Sequence, residues 1–139
     1  MDKFASLIVG SLVGGVARWL FSEALSKAGD GRFPYGTLLV NLSGCLLIGV
    51  LHGLSETRFP LSAQGRMLLV VGFCGAFTTF STLMLEASAL VDRGNVAGAC
   101  SYVLVSVVTG FLLFRAGAAI PKGIAALAVT TKASRPSAR

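Results

Sequence analysis

The chain has 139 residues, of which 54% are hydrophobic and only 13% are charged, and its mean hydropathy is +0.78. Soluble domains carry roughly a quarter charged residues, so this composition excludes an ordinary soluble domain and indicates an integral membrane protein. The formal net charge of +6 lies partly in a C-terminal segment without acidic or interleaved aromatic residues, so we expect a solvated or lipid-facing tail and no nucleic-acid partner. The three cysteines are odd in number and lie inside apolar segments, so they predict neither a disulfide framework nor a metal site.

Four apolar segments follow one another along the chain, over residues 4–21, 36–54, 67–91 and 96–120. Each supplies the ~20 mostly apolar residues with which a helix crosses ~30 Å of hydrocarbon. The first is not a cleavable signal peptide, because Arg18 and Trp19 stand where small residues would mark a cleavage site and three further spans follow. We therefore predict an all-α integral membrane protein, with a four-helix transmembrane domain over residues 1–121. Residues 122–139 form a basic tail, which we expect to be a helical extension followed by disorder.

The basic residues that flank the spans are almost evenly divided between the two sides of the membrane. With both termini on one side, that side has Lys3, Arg58, Arg66, Arg115 and Lys122, and the other side has Arg18, Lys27, Arg32 and Arg93. Since orientation follows the bias in basic residues, so small a bias permits insertion in both orientations. A four-helix bundle is also thin for enclosing a pathway by itself. Both features predict a dual-topology, antiparallel homodimer.

Small residues recur at the four-residue spacing that lets membrane helices approach closely. This spacing predicts tight helix packing, within one subunit or between two. The pairs are Gly10 and Gly14, Ser11 and Gly15, Gly49 and Gly53, and Gly94 and Gly98.

The third span contains residues that weaken a helix at membrane depth. In GFCGAFTTFSTL, residues 72–83, two glycines and the Thr78–Thr79 pair disfavour helix through backbone entropy or β-branching. A broken helix survives in the membrane only where its freed backbone is buried in protein or faces a cavity or an ion. Carbonyl groups released at such a break can coordinate a hard cation such as Na⁺. The alternative is a kinked but continuous helix whose hydroxyls bond to the preceding turn.

Several polar groups inside the spans are candidate functional residues, because polar groups are costly in the bilayer. Asn41 offers two N–H donors, either to a permeating solute or to a neighbouring helix. Tyr102, Ser106 and Thr109 share one face of the fourth span, either as the lining of an ion path or as interhelical hydrogen-bonding groups. Glu86 either lies at a pore mouth or pairs with an arginine.

Other polar residues lie near the ends of the spans, where their polar heads reach water. Arg18 and Arg115 can snorkel, and Arg18 precedes the interfacial residue Trp19, which favours an anchoring role as much as an ionic one. His52 is typical of an interfacial histidine. Since no carboxylate pair or deep histidine is placed for acid–base or nucleophilic chemistry, we predict that the protein is not an enzyme.

Three segments together resemble the Fluc (CrcB) family of fluoride channels: GGVARW at residues 14–19, GTLLVNLSG at residues 36–44, and GFCGAFTTFSTL followed by Glu86. The resemblance covers all four spans and leaves only the tail outside. It implies a dual-topology antiparallel homodimer with two fluoride pores and a structural Na⁺ at the centre of the subunit interface. The implied role is passive, electrogenic export of fluoride across the cytoplasmic (inner) membrane of a prokaryotic-type cell. The expected partners are a second copy of the chain, membrane lipids and fluoride.

The resemblance also implies roles for individual residues. The backbone carbonyls of Gly75 and Thr78 from each subunit would hold the Na⁺. Asn41 would be the pore-lining donor, Phe80 the first member of a ring pair beside the ion path, and Ser106 a part of a hydroxyl track. The remaining implied positions are Arg18 near the aqueous vestibule and Tyr102 and Glu86 along the pathway.

Two positions depart from the family pattern. The family usually has a second phenylalanine three residues after the first, and here that position is Leu83, so Phe80 lacks its usual partner from the same helix. Phe77 matches a different family position. Gly110 stands one turn after Ser106, where a second hydroxyl is often found. We expect Leu83→Phe to preserve function if this pore accepts a second ring.

Fluoride is small and strongly hydrated, so a dry passage must replace its water shell with other donors. Suitable donors are the Asn41 amide and the hydroxyls of Ser106, Tyr102, Thr79 or Ser81. An aromatic ring is positive at its edge, so Phe80 can present C–H groups to an anion. Such contacts are weak enough to release the ion, as conduction requires.

Two other functions are compatible with the size of the chain. A small four-helix, proton-coupled multidrug antiporter shares its span number and charge balance, but it needs a carboxylate deep in a helix, and the first span has none before Glu23. A scaffold subunit without transport activity predicts no solute flux and leaves the Thr-Thr-Phe-Ser-Thr run without a function.

Overall fold

A computed structural model describes residues 2–28, 33–57 and 60–133, without the side chains of residues 27–28 and 127–133. Within these ranges the regular secondary structure is entirely helical. The helices are α1 (Lys3–Ala28), α2 (Tyr35–Ser55), α3 (Ala63–Arg66), a π-helical segment (Met67–Cys74), α4 (Gly75–Phe77), α5 (Phe80–Asp92) and α6 (Val96–Ala133).

Four helical stretches in the described residues are long and apolar enough to cross a membrane, namely Lys3–Ser26, Tyr35–Ser55, Ala63–Asp92 and Val96–Ala126. The predicted all-α architecture with four spans is therefore confirmed. Two of the basic residues used for the topology prediction, Arg32 and Arg58, lie outside the described residues, as do residues 134–139 at the end of the predicted basic tail.

Two long helices run beyond the predicted spans. α1 continues to Ala28, and α6 continues through Pro121 to Ala133, so the first part of the predicted tail extends the last transmembrane helix. Hydropathy marks the part of a helix that lies in the hydrocarbon core of the bilayer, whereas the backbone hydrogen bonds of the helix continue beyond that core. Pro121 removes one of these bonds, but the helix around it keeps the others.

Short polar side chains start the first and the last helix by accepting a backbone N–H from the first turn. Asp2 Oδ1 accepts from the Ala5 N–H at 2.7 Å, and Asn95 Oδ1 accepts from the Gly98 N–H at 2.9 Å. Asn95 follows a tight turn in which Gly94 has a φ of +79°, a conformation that favours glycine. The predicted small pair Gly94 and Gly98 therefore forms a turn and a helix cap rather than a close contact between helices.

The glycine pair of α2 brings α2 and α6 into backbone contact. A Cβ atom at Gly49 would overlap the Phe114 carbonyl oxygen, and a Cβ atom at Gly53 would overlap the Ala118 carbonyl oxygen. Only glycine permits this approach. The contact, which we call the α2–α6 seam, fixes two of the walls of the site described below.

The glycines of α1 act in the same way against the π-helical segment. A Cβ atom at Gly10 would overlap the Leu68 carbonyl oxygen, and one at Gly14 would overlap that of Phe73. Gly15, in contrast, has no atom of another element within 4 Å of its Cβ position. The first small pair therefore packs within the subunit, while Gly15 belongs to an open face of α1.

Candidate functional site

An open groove with a volume of about 350 Å³ lies between α2, the end of the π-helical segment, the chain after α4, and α6. Four of its lining residues carry polar side chains, and they are Asn41, Thr78, Thr79 and Ser106. The other lining residues are mostly apolar. A few convergent polar groups in an apolar groove are typical of a site that binds or conducts a small solute.

The third span leaves helical geometry at the edge of this groove. Thr78 has φ −87° and ψ 155°, and Thr79 has φ −149° and ψ 119°, so both residues are extended. α4 ends at Phe77 and α5 begins at Phe80, whereas Gly72 lies inside the helical segment before the interruption. Of the helix-weakening residues in this span, the threonine pair is therefore where the chain departs from helix.

Asn41 on α2 pairs with the interrupted backbone through both ends of its side-chain amide. Its Nδ2 donates to the Thr79 carbonyl oxygen at 2.9 Å, and its Oδ1 accepts from the Thr79 N–H at 2.8 Å. The two bonds satisfy a backbone unit that has lost its helical partners. They use one of the two Nδ2 hydrogens of Asn41. The other hydrogen remains available as a donor to a solute in the groove that Asn41 lines.

The interruption withdraws the helical donors from two backbone carbonyl groups. In a continuous helix the Thr79 N–H would donate to the Gly75 carbonyl and the Thr82 N–H to the Thr78 carbonyl. The Thr79 N–H donates instead to Asn41, and the Thr82 N–H donates to Thr79 Oγ1 at 3.3 Å. Thr79 thus caps α5, and the carbonyl groups of Gly75 and Thr78 are freed from their helical donors.

Gly44 allows α2 to lie directly against the interruption. A Cβ atom at this position would overlap Thr78 Cγ2 and would lie 3.3 Å from Phe77 Cδ1. Since Gly44 follows Asn41 by three residues, both lie on the same face of α2. The absence of a side chain at Gly44 therefore permits the distances that the Asn41 amide needs.

A second polar cluster lies where α2, α5 and α6 meet. Glu86 Oε1 accepts from Thr37 Oγ1 at 2.8 Å, and Oε2 accepts from Tyr102 Oη at 2.7 Å. Ser106 lies one turn after Tyr102 and donates its hydroxyl to the Tyr102 carbonyl at 2.7 Å. These bonds connect the carboxylate at one end of the cluster to a hydroxyl that lines the groove.

Comparison with known proteins identifies the family. Residues 5–118 match the family model described as CrcB-like protein, Camphor Resistance (CrcB). The chain belongs to the CrcB family. The prediction from the three sequence segments is therefore confirmed.

Several CrcB relatives are named fluoride-specific ion channel FluC. The protein of Nitrobacter winogradskyi is 43% identical over 103 residues, which cover 74% of this chain and 82% of the relative. The protein of Chlorobium phaeobacteroides is 41% identical over 124 residues, covering 87% and 96%. The protein of Nitratidesulfovibrio vulgaris is 38% identical over 120 residues, covering 86% and 97%. The family match over residues 5–118 reaches into each of the four apolar helices, so this chain is a multi-pass membrane protein.

Most of the predicted site residues of this CrcB chain lie in two places, whereas Arg18, Gly75 and Ser81 line neither the groove nor the second cluster. Ser81 does not line the groove, but its hydroxyl lies 3.3 Å from Oγ1 of Thr79, which does. Arg18 lies half-buried on α1 and does not line the groove. Six predicted residues line the groove, namely Asn41, Thr78, Thr79, Phe80, Leu83 and Ser106, while Tyr102 and Glu86 belong to the second cluster.

Glu86 was predicted either to lie at a pore mouth or to pair with an arginine, and the partners that the structure gives it are hydroxyl groups. Both of its carboxylate oxygens accept hydrogen bonds from hydroxyl groups, Thr37 on one side and Tyr102 on the other. Tyr102 is fully buried, so its hydroxyl serves the carboxylate rather than the open groove.

The two positions of the expected ring pair have opposite exposures. Phe80 is 68% exposed in the single chain, and its ring is free to contact another surface. Leu83 is only 3% exposed and packs with Leu38 and Tyr102, although it also borders the groove. Phe77 is buried and stacks on Phe73 with ring centroids 5.4 Å apart, which is a packing role.

Sequence reasoning missed three residues that complete these sites: Thr37, Gly44 and Thr82. Thr37, Asn41 and Gly44 are spaced i, i+4 and i+7, so they share one face of α2. A search for small and polar residues on the face of Asn41 could therefore have found Thr37 and Gly44. Thr82 gave no such signal, because its contact with Thr79 Oγ1, at 3.0 Å between hydroxyls, depends on the interruption.

Proposed function

We propose that this CrcB-family chain is the subunit of a fluoride-selective channel, which lets fluoride leave the cell passively and electrogenically. Relatives that match most of the chain are named fluoride-specific ion channels. HF enters a cell as a neutral acid and dissociates inside, so an open path for the anion lets the membrane potential drive fluoride out. This function is transport and not enzymatic catalysis.

The observation that carries the proposal is the Asn41 amide, fixed at the edge of an apolar groove by its bonds to Thr79. A fixed amide keeps its second N–H pointing in one direction and needs no reorganisation when an anion arrives. The exposed ring of Phe80 lines the same groove and presents polarised C–H groups at its edge. The Ser106 hydroxyl can turn from the Tyr102 carbonyl to the anion by rotation about a single bond. Once a second surface closes the groove, a narrow lining of this kind would favour fluoride over the larger chloride.

We propose further that two copies assemble as an antiparallel homodimer with two fluoride pores. The groove is open along one side, and an open groove cannot exclude water from a fluoride path by itself. The 68% exposed Phe80 and the open face around Gly15 are available for a second copy. The nearly equal numbers of basic residues on the two sides favour insertion of the chain in both orientations. Labelling of Lys3→Cys and Arg93→Cys, in a background without native cysteines, should reach each residue from both sides of the membrane, and one-sided labelling of both would refute dual topology.

The interruption offers a set of donors that fits a structural Na⁺. The carbonyl oxygens of Gly75 and Thr78 have lost their helical donors, and carbonyl oxygens are ligands for hard cations. The same pair from a second subunit would double the donor set. A bound Na⁺ would supply positive charge that balances the carbonyl dipoles and favours an anion nearby. We place the assembled channel in the cytoplasmic (inner) membrane of a prokaryotic-type cell, surrounded by lipid.

Fluoride efflux from liposomes tests this function. Purified protein should release trapped fluoride rapidly once a potassium ionophore allows charge balance, and it should release chloride negligibly. Asn41→Asp keeps an acceptor for the Thr79 N–H but removes the donor and adds negative charge, so we expect fluoride efflux to be lost. Asn95→Asp changes an exposed asparagine at the cap of α6 and serves as the matched control. Equal release of fluoride and chloride would refute the proposal.

The same liposomes separate the channel from the multidrug antiporter. The antiporter predicts uptake of a cationic drug driven by a proton gradient and no fluoride release. Such uptake, in the absence of fluoride flux, would favour the antiporter.

A further inference from the structure

A cluster of charged side chains lies at the end of the α2–α6 seam, outside the residues that line the groove. Glu56 directly follows α2, and its Oε2 lies 2.6 Å from Lys122 Nζ on α6. Its Oε1 lies 3.3 Å from His52 Nε2, one turn earlier on α2. Between 46% and 55% of each of these side chains is exposed, so the cluster faces the surroundings of the protein.

The cluster carries more positive than negative charge. The hydrogen bond from Lys122 lowers the pKa of Glu56, and Arg115 on α6 adds a smaller electrostatic contribution in the same direction. Glu56 is therefore ionised at neutral pH. The single negative charge of Glu56 neutralises only one of the two positive charges of Lys122 and Arg115. A net positive charge at the end of two membrane-spanning helices attracts anionic headgroups.

The two cations lie on an apolar flank of α6. Phe111, Arg115 and Lys122 are spaced i, i+4 and i+11, which places them on one side of the helix. The Phe111 ring is 63% exposed, in a part of α6 that is apolar enough to contact acyl chains. Lys122 lies about 10 Å farther along the axis than Arg115, and both side chains can extend toward the headgroup layer.

We propose that this flank of α6 is a binding site for an anionic phospholipid. The headgroup phosphate lies between Arg115 and Lys122, and an acyl chain runs along Phe111. Glu56 limits the net charge of the site, since it competes with the phosphate for Lys122. Free phosphate shares the charge of the headgroup but lacks the acyl chain, so it binds more weakly than the lipid.

Native mass spectrometry of the full chain in detergent tests the site. Dioleoyl phosphatidylglycerol and dioleoyl phosphatidylcholine have the same acyl chains and differ in headgroup charge. A single uncompensated Lys or Arg near an anionic headgroup predicts a preference of roughly fivefold for the anionic lipid. Inorganic phosphate at the concentration of the lipid should not compete. Effective competition by phosphate would overturn the assignment to a lipid.

Three variants distinguish a local site from general electrostatic attraction. R115Q/K122Q should remove the preference, whereas K3Q/R93Q, which removes two exposed cations elsewhere, should retain it. Glu56→Gln should raise the preference by a further factor of roughly five, because it frees the second cation. A purely structural ion pair predicts no such increase. Equal losses in both double variants, or an unchanged preference in Glu56→Gln, would overturn the proposal.

Discussion

Replacement of Asn41 by alanine tests the most specific contact of the site. The substitution removes the 2.9 Å bond to the Thr79 carbonyl and the 2.8 Å bond from the Thr79 N–H. Both backbone groups then lie in an apolar part of the protein without their partner. An unsatisfied buried polar group costs about 1–3 kcal/mol, so two of them should lower the free energy of unfolding by roughly 2–6 kcal/mol.

Asn95→Ala is the matched control, because the same side chain is removed where it makes one exposed hydrogen bond, to the Gly98 N–H at 2.9 Å. Loss of such a helix cap costs about 0.5–2 kcal/mol. Denaturant titration in detergent micelles, followed by circular dichroism, measures both variants. Asn41→Asp should also be destabilised, because its second carboxylate oxygen would face the Thr79 carbonyl oxygen that Asn41 Nδ2 contacts. If Asn41→Ala is no less stable than Asn95→Ala, the pairing of Asn41 with the interrupted backbone is not what holds this region.

Three further outcomes are expected. Gly49→Ala places a methyl group on a carbonyl of α6 and should cost about 1–3 kcal/mol of unfolding free energy, whereas Gly15→Ala has open space and should change it by less than about 0.5 kcal/mol; equal effects would contradict the α2–α6 seam. Leu83→Phe should lower the free energy of unfolding by about 1 kcal/mol and keep fluoride efflux, because the added ring atoms can enter the groove that Leu83 borders. Loss of folding in this variant would show that the groove has no room for the ring. The lowered pKa of Glu56 means that the folded chain binds fewer protons than the unfolded chain below the ordinary value of 4.5. Stability from its ion pair is therefore present above that pH and lost as the pH falls. Lys122→Gln should reduce this loss in a pH series of thermal unfolding, because Lys122 has the largest effect on the pKa of Glu56.

The spans were predictable because hydropathy over a long window reflects the cost of placing residues in hydrocarbon. The predicted second span, residues 36–54, differs from α2 by one residue at each end. The ends of α1 and α6 were not predictable in the same way, because the helical hydrogen bonds of residues 22–28 and 121–133 do not depend on apolar side chains. Pro121 is an ordinary signal for a helix end, yet α6 continues through it.

The site was predictable in its residue types and less so in its contacts. Asn41 and the threonine pair are costly at membrane depth, so the sequence indicated that each has a partner. Which partner each one has depends on the approach of α2 to the interruption, which Gly44 permits. The π-helical segment, Met67–Cys74, also left no sequence signal, since its apolar residues fit an α-helix equally well. The partners of Glu86 were not predictable either, because its two hydroxyl donors come from α2 and α6, 49 and 16 residues away along the chain.

The reversal potential of the current through a planar bilayer tests fluoride selectivity most directly. With fluoride on one side, the same concentration of chloride on the other, and the purified protein inserted, the proposed channel passes current that only fluoride carries. No voltage within the experimental range then reverses the current, because chloride does not enter the path. A reversal potential near zero would mean that the two anions permeate equally, and it would contradict a groove in which the fixed Asn41 amide and the Phe80 edge select the smaller ion.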